Sequence, residues 1–270
     1  MGWLSKVFDG YIKFNFHVGL AVLALAQITA LNFDFSLSIT DALLCFSAPF
    51  FGYNFIKFHR FFSPMEGIKT KGFSILLGFL LLPTLLFLTG VFYLSLYSQL
   101  LLLSTFVLVL LYCLPLPGVK INFRGLRGLK IHLVALSWVL TTVFLPLSMA
   151  DKNLSDLSWV YGLQRYLFVL VATLPFEIRD LKLDDPHLST WPQKYGIPKT
   201  KVLGGILLIA FISLEGYFRP SEYLLITISM VLLLMITLFT SRAEQSKYFS
   251  SFWVEGIPIL WLILRYNPIL

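Results

Sequence analysis

Apolar residues run in long stretches through nearly the whole chain, separated by short segments in which Lys, Arg, Asp and Glu collect. A helix needs about 20 mostly apolar residues to cross the hydrocarbon core of a bilayer. Stretches of that kind fall at 14–32, 40–58, 74–94, 99–117, 131–150, 157–176, 202–218, 221–240 and 252–268. The seventh is the shortest, and the ninth is interrupted by Glu255 and Pro258. This pattern predicts an all-α, polytopic membrane helical bundle of about nine transmembrane helices, with residues 1–270 forming a single transmembrane domain.

Composition agrees with that class. Hydrophobic residues make up 57% of the chain, charged residues 13%, and the mean hydropathy is +0.81, which excludes an ordinary soluble domain. The N-terminus leads with Trp3, Phe8 and Tyr11, and no small-residue cleavage site follows the first apolar stretch, so helix one is expected to remain in the mature protein. Basic residues gather in alternate loops: Lys6 and Lys13; Arg60, Lys69 and Lys71; Lys120, Arg124, Arg127 and Lys130; Arg179, Lys182, Lys194, Lys199 and Lys201; Arg242 and Lys247. The opposite loops hold only Lys152 and Arg219, with Arg265 at the far end. By the positive-inside rule the N-terminus is cytoplasmic and the C-terminus external, in a membrane expected to be the bacterial cytoplasmic one. The formal charge of +7 is explained by this bias and requires no nucleic acid. Cys45 and Cys113 lie within apolar stretches and read as small packing groups, with no zinc or redox spacing.

Chemistry concentrates at the end of the sixth stretch, EIRDLKLDDPHLSTWPQKYG, residues 177–196. If the helix runs on, Glu177, Asp180 and Asp184 project from one face. Like charges so spaced cost roughly 0.2–0.5 kcal/mol per pair, and a divalent cation would offset that repulsion. Hard oxygen ligands suit Mg²⁺, which takes one or two carboxylates, several waters and substrate phosphate. The competing reading is a solvated helix end in which Arg179, Lys182, Lys194 and Lys199 neutralise the acids.

Asp180, Asp184, Thr190, Pro192 and Gly196 follow a pattern of D, three residues, D, then a short loop with T, P and G. The segment resembles the second aspartate-rich motif of the UbiA family of intramembrane prenyltransferases, with Glu177 where that family often has another acid. The resemblance implies a helical bundle whose active site opens to the cytoplasmic face. There Mg²⁺ held by Glu177, Asp180 and Asp184 binds a prenyl diphosphate, with Asp180 and Asp184 catalytic. The family's first motif, an Asn followed by three spaced acids, aligns on Asn54 but places Phe55, Phe58 and Phe62 at the acidic positions. Only the Asn remains. Lys57, His59 and Arg60 occupy the same turn, and a cationic wall can contact phosphate directly; alternatively, Lys57 and Arg60 anchor the helix end among headgroups. In the family's loop after helix four, Arg and Lys approach the diphosphate, which makes Lys120 and Arg124 candidate substrate contacts with Asn54, Lys57 and Arg60. Arg127 and Lys130 read rather as attracted to anionic lipid.

Gln164 and Arg165 lie inside the sixth stretch. An ionisable group there marks function, or else Arg165 snorkels toward the external surface. His17 and Glu255 sit near the cytoplasmic interface, where either touches an acceptor or is a satisfied structural residue. The activity implied by the resemblance is transfer of a prenyl group from an allylic diphosphate to a lipid-soluble acceptor. An inactive member that binds an isoprenoid or other lipid phosphate is the alternative. The retained second motif favours the enzyme, and the Phe residues in the first favour the binder. A small transporter predicts internal repeats and broken helices meeting at mid-membrane, and the sequence has no clear sign of either.

Overall fold

The computed structural model describes residues 3–58, 84–113, 128–218 and 223–267. The helices are α1 (Trp3–Lys13), α2 (Phe16–Asn32), α3 (Ile39–Phe58), α4 (84–92), α5 (Leu96–Cys113), α6 (Lys130–Met149), α7 (Asp156–Asp180), α8 (Trp191–Phe218), α9 (Leu224–Thr240) and α10 (Ile257–Tyr266). Each predicted apolar stretch overlaps one of these; residues 74–83, 114–117, 221–222 and 268 of the stretches lie outside the described residues. Among the described residues, three helices, Lys130–Met149, Asp156–Asp180 and Trp191–Gly216, are long and apolar enough to cross a membrane unaided, and the bent pair α1–α2 qualifies as a fourth. The shorter apolar helices Leu96–Tyr112 and Leu224–Thr240 also belong to the membrane-type bundle.

Neighbouring helices pack in a closed circuit: α2 on α3, α3 on α5, α5 on α6, α6 on α7, α7 on α8, α8 on α9, α9 on α10, and α10 back on α2. Phe168, Phe211 and Trp261 meet in the core between α7, α8 and α10. Close approach of α8 is set by Gly204, where a Cβ would come within 2.5 Å of Leu238 and 2.9 Å of Leu174. A side chain there would require the buried ends of Leu238 and Leu174 to move.

Local breaks position the functional end. The bend between α1 and α2, 58°, falls at Asn15, which adopts φ 62°, a region Asn tolerates better than most residues. Asn54 holds that break: its amide donates to Phe14 O at 2.9 Å and Phe50 O at 2.8 Å, and its oxygen accepts from Asn15 at 3.1 Å. Ser155 starts α7 through a capping box with Ser158. Near the other end, Pro175 lies inside the helix, and its carbonyl takes hydrogen bonds from Gln245 and Ser250. A π-helical segment, Leu140–Phe144, interrupts α6 where Thr29 of α2 donates to Thr142 O at 2.5 Å. The expected break around Glu255 is present: a π-helical turn, Phe249–Val254, precedes α10.

Candidate functional site

Helix α7 ends at Asp180 and does not carry on through the acidic motif. The backbone N–H groups of Leu183 and Asp184 both return to Asp180 O at 2.8 Å, closing one further turn, and Asp184 and Asp180 both lie near enough to Glu177 to repel its charge. Asp185 then caps the short 3₁₀ turn Pro186–Leu188 by accepting from the His187 N–H at 2.9 Å. That gives Asp185 a structural duty at the loop. Thr190 opens α8, its N–H bonding Gln193, and Gly196 at φ 77° supplies the break that α8 makes before Pro198.

Two of the three acids are paired with cations of the chain itself. Asp184 Oδ2 lies 2.6 Å from Lys130 Nζ, with both side chains largely buried, and Arg179 grips Asp180 through Nε at 2.7 Å and Nη2 at 3.0 Å. Glu177 is 2% exposed; it accepts from the Trp191 N–H, while its Oε2 is buried and has no hydrogen-bond partner. An orphaned buried carboxylate oxygen is expensive and calls for a proton or a cation. Among the described residues, no three His, Cys, Asp or Glu side chains converge as a ready-made metal cluster.

Glu177 and Asp180 share the wall of a cavity of about 770 Å³ with Lys130, Arg179, Asn15 and Glu255. The inner half of the cavity is apolar, formed by α7 residues such as Phe168, Val169, Ala172 and Phe176. A polar mouth over an apolar interior suits an amphiphile with an anionic head.

The other expected residues are placed as follows. Asn54 is buried at 1% exposure and is not among the cavity-lining residues; Asn15, which it holds, is. Lys57 belongs to the last turn of α3, and Arg60, Lys120 and Arg124 lie outside the described residues. Lys130 stands at the cavity wall against Asp184, a correction to its reading as a lipid-facing residue. Arg165 is also a correction: it does not snorkel but is buried at 3% exposure, donating to Leu25 O and the Tyr161 hydroxyl and facing the Tyr161 and Trp261 rings. Gln164 beside it binds Glu215. His17 is structural, held between the Tyr11 hydroxyl and Phe252 O, whereas Glu255 does reach the cavity. Tyr53 and Trp138, hydrogen-bonded to each other on the cavity wall, were not singled out by any sequence pattern; aromatic residues are too frequent here, at 16%, for two of them to stand out.

No protein-family model matches the sequence, and no curated protein matches it either. Solved structures do. A UbiA homologue from Aeropyrum pernix K1, without ligand, superposes with a TM-score of 0.66 at 14% identity, covering 93% of this chain and 98% of that one. A UbiA homologue from Archaeoglobus fulgidus bound to Cd²⁺ gives 0.62 at 15% identity over 93% and 97%. A structure concerned with digeranylgeranylglyceryl phosphate synthase gives 0.56 at 13% identity over 96% and 97%. The chain therefore has the UbiA-like fold, as the resemblance implied.

Proposed function

We propose that the protein is a UbiA-like membrane prenyltransferase that binds a prenyl diphosphate in the 770 Å³ cavity and transfers its prenyl group to a lipid-soluble acceptor. The observation that carries this reading is the pairing of Glu177, Asp180, Lys130 and Arg179 at one end of the cavity with apolar α7 side chains along its interior. Lys130 and Arg179 meet the anionic head, and Arg179 offers a planar fork to phosphate oxygens. The α7 side chains keep water from an allylic cation, and neighbouring aromatic faces shield it. Asp180 and Asp184 hold these cations in position and are the proposed catalytic carboxylates, with Lys57, Arg60, Lys120, Arg124 and Asn54 as the proposed further substrate contacts or their supports. On the Lys and Arg distribution, the motif end faces the cytoplasm.

The donor set accommodates one divalent ion. The orphaned Oε2 of Glu177 and the carboxylate of Asp180 are hard oxygen donors on the same cavity wall; an ion bound there would draw Asp180 from Arg179, while Asp184 stays engaged by Lys130. Mg²⁺ bound there would neutralise charge developing on the departing diphosphate. The Archaeoglobus fulgidus homologue is bound to Cd²⁺, which supports a divalent ion as part of this reading.

One observation favours a second reading. Phe55, Phe58 and Phe62 stand where the UbiA family's first motif has acids, which suits a protein that binds a lipid diphosphate without turning it over. The deciding experiment is binding of a non-hydrolysable allylic diphosphate to detergent-purified protein, with and without Mg²⁺. Mg²⁺-dependent binding that disappears in Asp180→Asn, Asp184→Asn is the expected result; binding indifferent to both changes, or none, overturns the diphosphate site. With binding established, prenyl release from the hydrolysable ligand separates enzyme from binder.

A further inference from the structure

Beside the polar-mouthed cavity lies a smaller apolar compartment of about 140 Å³, between α3, α5 and α6. The two share Tyr53, Ile56, Tyr112, Val134 and Trp138 as lining residues, so these side chains form the wall between them. Within that wall the Trp138 indole N–H donates to the Tyr53 hydroxyl at 2.9 Å. Each group gives the other a polar partner, so the partition closes without needing water.

On α3 the lining combines the small residues Ala48, Pro49 and Gly52 with Tyr53 and Ile56 of the shared wall. A Cβ at Gly52 would meet only Val109, at 3.8 Å, an ordinary contact with room beyond. Among the lining hydroxyls, those of Thr105, Ser137 and Thr141 each donate to a carbonyl one turn back in their own helix, Leu101, Leu133 and Ser137 respectively, and that of Tyr53 is bonded to Trp138. A space with its polar groups turned away holds water poorly. Its occupant is therefore apolar.

We propose that this compartment receives the far end of an isoprenoid tail, and that the hydrogen-bonded Tyr53–Trp138 pair determines how long a tail the protein accepts. The inference rests on the prenyl diphosphate reading of the adjoining cavity. With the head held at Lys130 and Arg179, a short tail ends against the aromatic pair, and a longer one must displace it to enter the compartment. Discrimination is moderate, because the free tail resides in lipid rather than water and only packing separates the two states.

The test is equilibrium binding of thiolo-diphosphate analogues with two, three and four isoprene units to the full-length protein in detergent. Wild type is expected to favour one length by about fivefold or more. Tyr53→Ala, which opens the partition, shifts the preference to a longer tail; Gly52→Val, which fills the compartment, shifts it to a shorter one. Tyr53→Phe removes the hydrogen bond while keeping the ring, and narrows the discrimination with less than about threefold change for the preferred ligand. It also carries the test should Tyr53→Ala not fold. Length profiles identical in wild type and all variants overturn the inference while leaving the diphosphate site standing. Absence of binding by every analogue overturns both.

Discussion

Arg165 and Glu177 stand on the same helix, 3% and 2% exposed respectively, yet their surroundings are opposite in kind. Around Arg165 the bundle is filled: Nη2 of the guanidinium donates to Leu25 O, Thr29 and Tyr161, and the group faces the Trp261 ring, with Glu215 held next door by Gln164 and Thr227, although Nε and Nη1 make no hydrogen bond. Around Glu177 it is hollow, with a cavity on one side and an oxygen that nothing satisfies. Burial of a charge inside a membrane-type bundle does not by itself separate structural from functional roles. Both residues keep an unmet bonding valence, and what distinguishes Glu177 is the adjacent void.

Removing Arg165 is expected to have the largest effect on folding. Arg165→Ala leaves a cavity and strips partners from Leu25 O and Tyr161, costing about 2–4 kcal/mol, read as a lower unfolding temperature in detergent. Arg165→Met, which refills the volume, recovers part of that loss. Binding of the allylic diphosphate analogue per folded molecule stays unchanged in both. Weakened binding in a fully folded Arg165 variant would erase the contrast between the two ends of α7.

Lys130→Met comes next. It leaves the Asp184 carboxylate, 8% exposed, without its ammonium partner, and the expected loss is about 1–2 kcal/mol, below the full cost of breaking a wholly buried pair because Lys130 keeps 15% exposure. Here stability and binding fall together, since the same cation faces the cavity. Stability lost with analogue affinity intact would make Lys130 a fastener only.

Much of this contrast lies beyond what the chain shows as a string of letters. Runs of apolar residues fix helices because a bilayer leaves the backbone no other way to satisfy itself, which is why Leu96–Cys113 and Leu224–Thr240 sit close to where hydropathy puts them. Breaks within helices depend on distant partners: the Asn15 bend is held by Asn54, 39 residues away, and the π-helical segment of α6 faces Thr29 of α2. At the site, the acids were legible as a spacing motif. Their pairing was not, because Lys130 reaches Asp184 across 54 residues, and the end of α7 at Asp180 follows from a turn that helical periodicity ignores. Arg165 was misread for a related reason: hydropathy registers a charge in a span, but not the Tyr161 and Trp261 rings that receive it.

Glu177→Gln sharpens the comparison from the other side. Replacing an orphaned, buried carboxylate with a neutral amide of the same shape is expected to raise stability by about 1 kcal/mol. Mg²⁺-dependent analogue binding is expected to weaken by about tenfold, or about 1.4 kcal/mol. A more stable protein that binds less well is the signature of a group kept for function at a cost to folding. A destabilised Glu177→Gln protein with unchanged binding would instead class Glu177 with Arg165.

The smallest effect is expected where charge is paired in the open. Lys182 and Glu244 join the loop after α7 to the one before α10 at 2.5 Å, with side chains 65% and 83% exposed. The hydrogen bond from Lys182, aided by its positive charge, holds the Glu244 carboxyl below its ordinary value of 4.5. A carboxyl lowered in the folded state favours folding above that ordinary value, and the contribution disappears as pH falls through the folded-state value. Solvent and salt screen such a pair, so Glu244→Gln should leave the unfolding temperature unchanged between pH 6 and 8, a range chosen about two units above the titration. A clear drop there would mean that the loops on this side are locked as firmly as the Arg165 core, and that the hollow at Glu177 is closed by rigid walls rather than by loops free to admit a lipid head.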